Sequence, residues 1–358
     1  MNLYAVIMAG GAGTRFWPVS RRSRPKQLLD LVGGASLIRQ TVDRIRPRVA
    51  PERILVVTGA EHAAALGAEI PEVPRENLLV EPVGRGTAAA IGLAAVVVRA
   101  KDPHAAIAVL PSDHFIRDRD GFLAALEAAR DVAADGDYLL TLGMKPTAPE
   151  TGYGYIRVGE QLRTVRGLAV HRVDRFIEKP DRKRAEGYLA DGHYLWNGGV
   201  FIWRVDTVLE AIRTHLAETF EGIAEVGLAL AAGDFMEAVR RVYVRLPNVS
   251  IDTGVLERAG NVLVLPCEVG WHDVGSWSAL DDLLPRRDGD NVGVGEHVAI
   301  DSRHCVVYSP KKLVATVGVD DLVIVETEDA LLVCRKDQAQ EVRRVLEELE
   351  RRGMERLR

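Results

Sequence analysis

The residues best placed to do chemistry lie near the amino terminus, where Gly10, Gly11, Ala12, Gly13 and Thr14 follow directly on the apolar run Leu3 to Met8. Glycines in such a turn let backbone N–H groups approach an anion closely. Arg15, Arg21, Arg22, Arg24 and Lys26 come next, with no acidic residue among them. A buried strand, a glycine-rich turn and a local excess of positive charge suit a polyphosphate. The spacing excludes two familiar phosphate loops. A dinucleotide fingerprint counted from Gly11 and Gly13 meets Phe16 where its third glycine should be, and no glycine precedes a lysine as a Walker A loop requires. Arg21, Arg22 and Arg24 also fit a solvated basic turn and are read as bystanders.

Further along, VLPSDH (109–114) ends an apolar run in Ser112, Asp113 and His114. A carboxylate at the carboxyl end of a parallel strand sits where α/β folds bind ligands, although a turn or cap aspartate reads the same way. GWHDVGSW (270–277) supplies a second carboxylate, Asp273. Two carboxylates with phosphate oxygens point to Mg²⁺, which takes few protein ligands, and neither His114 nor His272 is chosen as a ligand. In FIEKP (176–180), adjacent Glu178 and Lys179 on an extended segment would face opposite ways, one toward sugar hydroxyls and one toward a phosphate. Asn197 of YLWNGGVF has the donor and acceptor capacity to read a hydroxyl, and TGYGYI (151–156) offers Tyr153 and Gly154 as a sugar-facing loop. Asp252 in SIDTGVLE reads equally as a site residue or a helix cap. Glu81 in EPVGRGTAAAIGLAA complements the paired N–H donors of guanine, with Gly86 and Thr87 at a helix start; capping by Thr87 is the competing reading.

These residues need a scaffold. At 358 residues, 47% apolar and 27% charged, the chain can bury a large α/β domain and a smaller one. A net charge of −5 argues against a nucleic-acid binder. No apolar run reaches a membrane span of about 18 residues, no signal peptide opens the chain, and three scattered cysteines form no disulfide framework, so a reducing cytoplasm is expected. Arginine outnumbers lysine 38 to eight, so Lys26 and Lys179 hint at a need for a compact ammonium. Strand-like segments at 54–58, 78–81, 107–110 and 138–144 alternate with helical ones at 36–46, 86–99 and 121–134. This rhythm predicts a doubly wound, mixed but mostly parallel sheet. From 151 to 275 the pattern turns irregular with shorter strands. After RRDGDN, short β-rich stretches at 291–334 suggest small β-helical coils or a β-sandwich, and 338–352 a last amphipathic helix for packing or subunit contact.

Taken in register, AGGAGTRFWPVS…PKQ, LPSDH, FIEKP, WNGGVF, SIDTGVLE and GWHDVGSW resemble the sugar nucleotidyltransferases, and within them the bacterial mannose-1-phosphate guanylyltransferase type. The resemblance runs from residue 3 to about 277. It implies an α/β nucleotidyltransferase domain (1–286) and a C-terminal left-handed β-helix with a final helix (287–358); a homodimer through the C-terminal region is a separate expectation, drawn from that amphipathic helix. The resemblance further implies transfer from GTP to mannose 1-phosphate, with Asp113 and Asp273 holding Mg²⁺, and Arg15 and Lys26 on the triphosphate. Lys179 would take the sugar phosphate, and Glu178, Asn197 and Asp252 the hydroxyls. Competing expectations are a glucose-1-phosphate enzyme using UTP, ATP or dTTP, a non-catalytic sugar-nucleotide-binding subunit, and a nicotinamide oxidoreductase. Some relatives carry an added isomerase domain, which the length and histidine content here do not suggest. The chain departs from the usual family pattern at Asn197-Gly198-Gly199 and in GRGTAAAI.

Overall fold

The computed structural model describes residues 1–11 and 13–358; Ala12 of the glycine turn lies outside the described residues. Two compact units form, one from Met1–Gly10, Val42–Ser112 and Ile116–Trp271, the other from Gly11–Thr41, Asp113–Phe115 and His272–Arg358. The strands are β1 (Leu3–Ala9), β2 (Ile54–Gly59), β3 (Leu78–Glu81), β4 (Ala106–Pro111), β5 (Phe115–Ile116), β6 (Leu139–Met144), β7 (Tyr155–Val165), β8 (Leu168–Ile177), β9 (Tyr194–Arg204), β10 (Val262–Cys267), β11 (Trp271–His272), β12 (Val292–Ile300), β13 (Val306–Val317), β14 (Leu322–Glu326) and β15 (Leu331–Arg335). The helices are α1 (Leu37–Ile45), α2 (Ala63–Glu69), α3 (Gly86–Lys101), α4 (Arg119–Ala134), α5 (Arg182–Asp191), α6 (Val205–His215), α7 (Ala217–Ala232), α8 (Phe235–Tyr243), α9 (Leu280–Leu283) and α10 (Arg343–Arg351).

The first unit is built on a nine-stranded mixed sheet in the order β3-β2-β1-β4-β9-β6-β10-β8-β7. The near-continuous apolar sequence of β1 marks a strand covered on both faces, and β1 pairs in parallel with β2 and β4. The parallel ladders are β3-β2-β1-β4 and β6-β10, while β9 runs antiparallel to both of its sheet neighbours. Helix α3 is apolar all round, with Ala88 to Val98 buried without a break, and it lies against α6 and α7.

The region expected to hold shorter strands does the reverse. β7, β8 and β9 span 11, 10 and 11 residues. β7 and β8 form a ribbon with three register shifts between Arg157 and Arg163 and charged side chains on the outside. Bulges and exposure erase the two-residue alternation by which a strand is recognised. Helices α5 to α8 were likewise hidden in that irregular stretch.

In the second unit, β12, β13 and β14 pair in parallel and β15 turns back antiparallel on β14. Parallel pairing of consecutive strands joined by short links is what coils give, and a sandwich of hairpins is set aside. Buried Asn291 staples the first coil: its amide donates to the Ser302 carbonyl at 3.0 Å and its Oδ1 accepts from Cys305 N–H at 2.9 Å. The expected helix over 338–352 begins instead as a 3₁₀ segment, Lys336–Val342, and becomes α-helical only in α10. Val342 and Leu349 are buried in a core that also holds Phe16, Trp17, Leu29, Trp277, Val306 and Val323. The segment serves packing, and the core it joins is that of the glycine turn.

Candidate active site

In the second unit the glycine turn is shaped by contact. Gly11 and Gly13 have φ of +93° and +62°, and a side chain at Gly13 would strike Lys26. The Gly13 carbonyl accepts from Phe16 N–H at 3.0 Å and from the Ser20 hydroxyl at 2.8 Å, closing the turn. Lys26, only 7% exposed, directs its ammonium over the Phe16 ring, 5.6 Å from the centroid. That ammonium donates to Asp113 Oδ2 at 2.7 Å and to the Asp273 carbonyl at 2.9 Å. Three residues far apart in sequence thus meet at one cation. Burial alone would raise the Asp113 carboxyl, but Lys26 and His114 overrule it and hold it below the usual range. Ser112, buried just before it, donates its N–H to the Met8 carbonyl at 3.1 Å.

Arg15 reaches Gln340 Oε1 at 2.8 Å, in the 3₁₀ segment. Arg21 pairs with Asp329 at 3.0 Å and Arg22 with Glu355 at 3.3 Å. The local excess of positive charge seen in sequence is therefore partly neutralised by the carboxy-terminal segment. Asp273 lies above Gly275, where a Cβ would come within 2.8 Å of its Oδ2. Among the described residues no group of three or more His, Cys, Asp or Glu side chains forms a metal cage. Mg²⁺ asks for less, one or two carboxylates completed by phosphate oxygens and water. Asp113, whose carboxylate meets the Lys26 ammonium, and Asp273, whose carbonyl meets it, offer two carboxylates for such a role.

The first unit holds a second polar cluster. Asn197 Oδ1 accepts from the Thr141 hydroxyl at 3.2 Å and from Gly199 N–H at 3.1 Å, and Nδ2 donates to Asp252 Oδ1 at 2.8 Å. The acceptor side of Asn197 is thus engaged, leaving one amide N–H. The cap alternative for Asp252 falls away, because Ser250 accepts from Thr253 N–H at 3.2 Å and Asp252 turns to Asn197. Burial pushes the Asp252 carboxyl up to about 6, and the charge of Glu178 adds to the effect.

Glu178 and Lys179 correct an expectation. Lys179 has φ of +46°, so its ammonium folds back to 2.9 Å from Glu178 Oε1 instead of pointing away. The other oxygen, Glu178 Oε2, is buried without a hydrogen-bond partner, against Gly154, whose missing side chain makes room for it. Tyr153 meets Trp196 and Trp271 edge-on at 5.1 and 5.3 Å.

Glu81, at the end of β3, lies against the Tyr243 hydroxyl. Burial pushes its carboxyl up to about 7, with the tyrosine opposing, while the Tyr243 phenol is driven well above its ordinary value. Thr87 does not cap α3; its hydroxyl accepts from Ile251 N–H at 2.8 Å. Gly86 has φ of +75° and touches the Val249 carbonyl. Sequence reasoning missed Tyr243, Thr141 and Glu257, which accepts from Glu178 N–H at 2.9 Å. Each is an ordinary residue in an ordinary context, and only the fold reveals its partner. His272, passed over as a ligand, accepts from Val274 N–H at 2.9 Å through Nδ1.

A mixed α/β sheet in one unit and, in the other, a glycine turn beside a lysine that meets the Asp113 carboxylate and the Asp273 carbonyl fit a phosphate-handling α/β enzyme class. The chain belongs to the Nucleotidyl transferase family, whose sequence pattern matches residues 4–286; that of the MannoseP isomerase/GMP-like beta-helix domain matches 295–349. It is 40% identical over 98% of its length to the xanthan biosynthesis protein XanB of Xanthomonas campestris pv. campestris, covering 74% of that protein. It is 38% identical over 96% of its length to a mannose-1-phosphate guanylyltransferase of Klebsiella pneumoniae, covering 73% of it. The crystal structure of a mannose-1-phosphate geranyltransferase from Thermus thermophilus superposes with a TM-score of 0.87 at 39% identity, covering 98% of this chain and all of that one.

Proposed function

We propose that the protein transfers a guanylyl group from GTP to α-D-mannose 1-phosphate, giving GDP-mannose and pyrophosphate. The observation that carries the transfer chemistry is the Lys26 ammonium bound between Asp113 and Asp273. Base and sugar are taken from relatives of this chain named for that activity. A phosphate oxygen of mannose 1-phosphate attacks the α-phosphorus of GTP, the new P–O bond forms, and the bond to the β-phosphate oxygen breaks with pyrophosphate carrying away the electron pair. The attacking oxygen is already ionised near neutral pH, so no general base is needed. Catalysis is positioning and charge neutralisation.

In this reading Lys26 and Arg15 neutralise the triphosphate, with backbone groups of Gly10, Gly11, Gly13 and Thr14 around it. Asp113 and Asp273 hold Mg²⁺, which supplies charge neutralisation at the reacting phosphate oxygens when bound. Lys179 takes the sugar phosphate. Glu178 Oε2, buried without a partner, and the remaining N–H of Asn197 address hydroxyls, with Asp252 orienting Asn197. Glu81 takes the guanine N–H pair through its unpartnered Oε1. We also assign the enzyme to the cytoplasm, in keeping with three free cysteines, and keep 286/287 as the boundary between its two domains. A homodimer through the C-terminal coils would cover Ile300 and Val317, exposed neighbours on β12 and β13.

The test is pyrophosphate release with Mg²⁺, crossing GTP, ATP, UTP and dTTP against mannose and glucose 1-phosphates. Release strongest with GTP and mannose 1-phosphate is expected. Preference for another pair would keep the chemistry and reassign Glu81 and Asn197, and no release from folded protein would overturn the enzyme reading.

A further inference from the structure

The peptide joining Asp273 to Val274 is gripped at both ends. Its carbonyl oxygen accepts from Lys26 Nζ at 2.9 Å, and its N–H donates to Nδ1 of His272 at 2.9 Å. The orientation held this way is an uncommon one. Val274 has φ of +49°, in the left-handed region that a β-branched residue very rarely enters. Its side chain is fully buried among Trp277 and Leu280, so the residue cannot relax by swinging outward. Turning the peptide over would return Val274 to negative φ. It would also break both hydrogen bonds and rotate the Asp273 backbone that carries the carboxylate.

We propose that His272 is a positioning residue for the transfer reaction: with Lys26 at the opposite end, its Nδ1 lone pair locks the Asp273–Val274 peptide and thereby aims the Asp273 carboxylate. The proposal rests on the reading of Asp273 as a metal ligand. Because Nδ1 accepts, the ring proton sits on Nε2, which faces Asp282 Oδ2 at 3.7 Å, beyond hydrogen-bond length. The ring therefore acts as an acceptor two residues before the N–H it receives, the service an Asn or Ser oxygen performs in an Asx or ST turn. The same lysine that meets Asp113 completes the grip, so both carboxylate-bearing segments are referenced to one ammonium.

Four variants separate accepting from space-filling. His272→Asn and His272→Ser keep an acceptor near the same place; His272→Ala and His272→Phe remove it, the latter retaining a ring. Mn²⁺ binding is measured by paramagnetic resonance with GTP present, alongside kcat and KM for pyrophosphate release and the melting temperature. Partners that orient a metal ligand are typically worth about 10–100-fold in affinity or activity. The Ala and Phe variants are expected to lose Mn²⁺ affinity and kcat on that scale, with KM for mannose 1-phosphate and the melting temperature nearly unchanged. The Asn and Ser variants should stay within about threefold of wild type, on the same principle that the acceptor is what matters. A crystal structure of His272→Phe should show the peptide turned and Val274 at negative φ. Wild-type behaviour of the Phe variant, failure of both Asn and Ser, retention of positive φ, or losses that merely track melting would each overturn the proposal. Asp273→Ala is the control: wild-type Mn²⁺ affinity there would sink the ligand assignment, while the Phe structure would still judge the lock itself.

Discussion

The carboxyl of Glu81 shows how a buried acid ties stability to pH. Burial lifts it from 4.5 to about 7, with Tyr243 opposing. Between those values the folded protein keeps a proton that the unfolded chain has released, so stability falls as pH rises. The contribution is full below the unfolded value and is lost as pH climbs through the folded one. Asp252, lifted from 3.8 to about 6 by burial and then by Glu178, has the same sign over a lower window. Glu81→Gln should therefore flatten the pH dependence of melting and raise the melting temperature at pH 8, by about 2–4 °C per kcal/mol recovered. Its preference for GTP over ATP should fall at the same time, which pyrophosphate release with the two nucleotides would measure. Lys26, Asp113 and Asp273 were legible in sequence because each sits in a polar motif of unusual composition. Tyr243 was not, since nothing in FMEAVRRVY announces that its ring ends on a carboxyl from β3.

Among the elements, the main alternation of strands and helices up to β6 was readable because β1, β2, β4 and β6 are buried on both faces, while the short α2 and β5 escaped it. Ser36, just before α1, accepts from Arg39 N–H at 3.3 Å, as a capping residue does. The β7–β8 ribbon was unreadable for the opposite reason, as charge and bulges broke its period. The turn before α3 shows what a single glycine decides. A methyl at Gly86 would enter the Val249 carbonyl while the backbone is held at φ of +75°. Left-handed backbone alone costs a non-glycine residue about 1–2 kcal/mol, and the clash adds to it. Gly86→Ala should lower stability by about 2–3 kcal/mol, backbone strain and overpacking together, and calorimetric melting would show it. Because Thr87 then no longer meets Ile251 squarely, selectivity among nucleotides is expected to loosen in the same variant.

For the molecule as a whole, the sequence suggested that chemistry and C-terminal coils would be separate affairs. The second unit joins them. Phe16 meets Trp277 edge-on at 5.2 Å, and the Trp17 indole donates to the Leu357 carbonyl at 2.8 Å. Contacts of this kind are long-range in sequence and leave no periodic trace, so no reading of patterns could have found them. Leu349→Ala, in α10, should cost about 2–4 kcal/mol by the usual cavity rule. It should also reduce turnover at temperatures where wild type is unaffected, because the glycine turn shares that core; activity against temperature checks it. The first unit has its own centre of gravity in α3, whose residues Ala88 to Val98 are covered without interruption. Amide hydrogens there have no local route to solvent and must wait for the entire unit to open. Deuterium would enter α3 last, which makes that helix the clock by which every looser part of the chain can be timed.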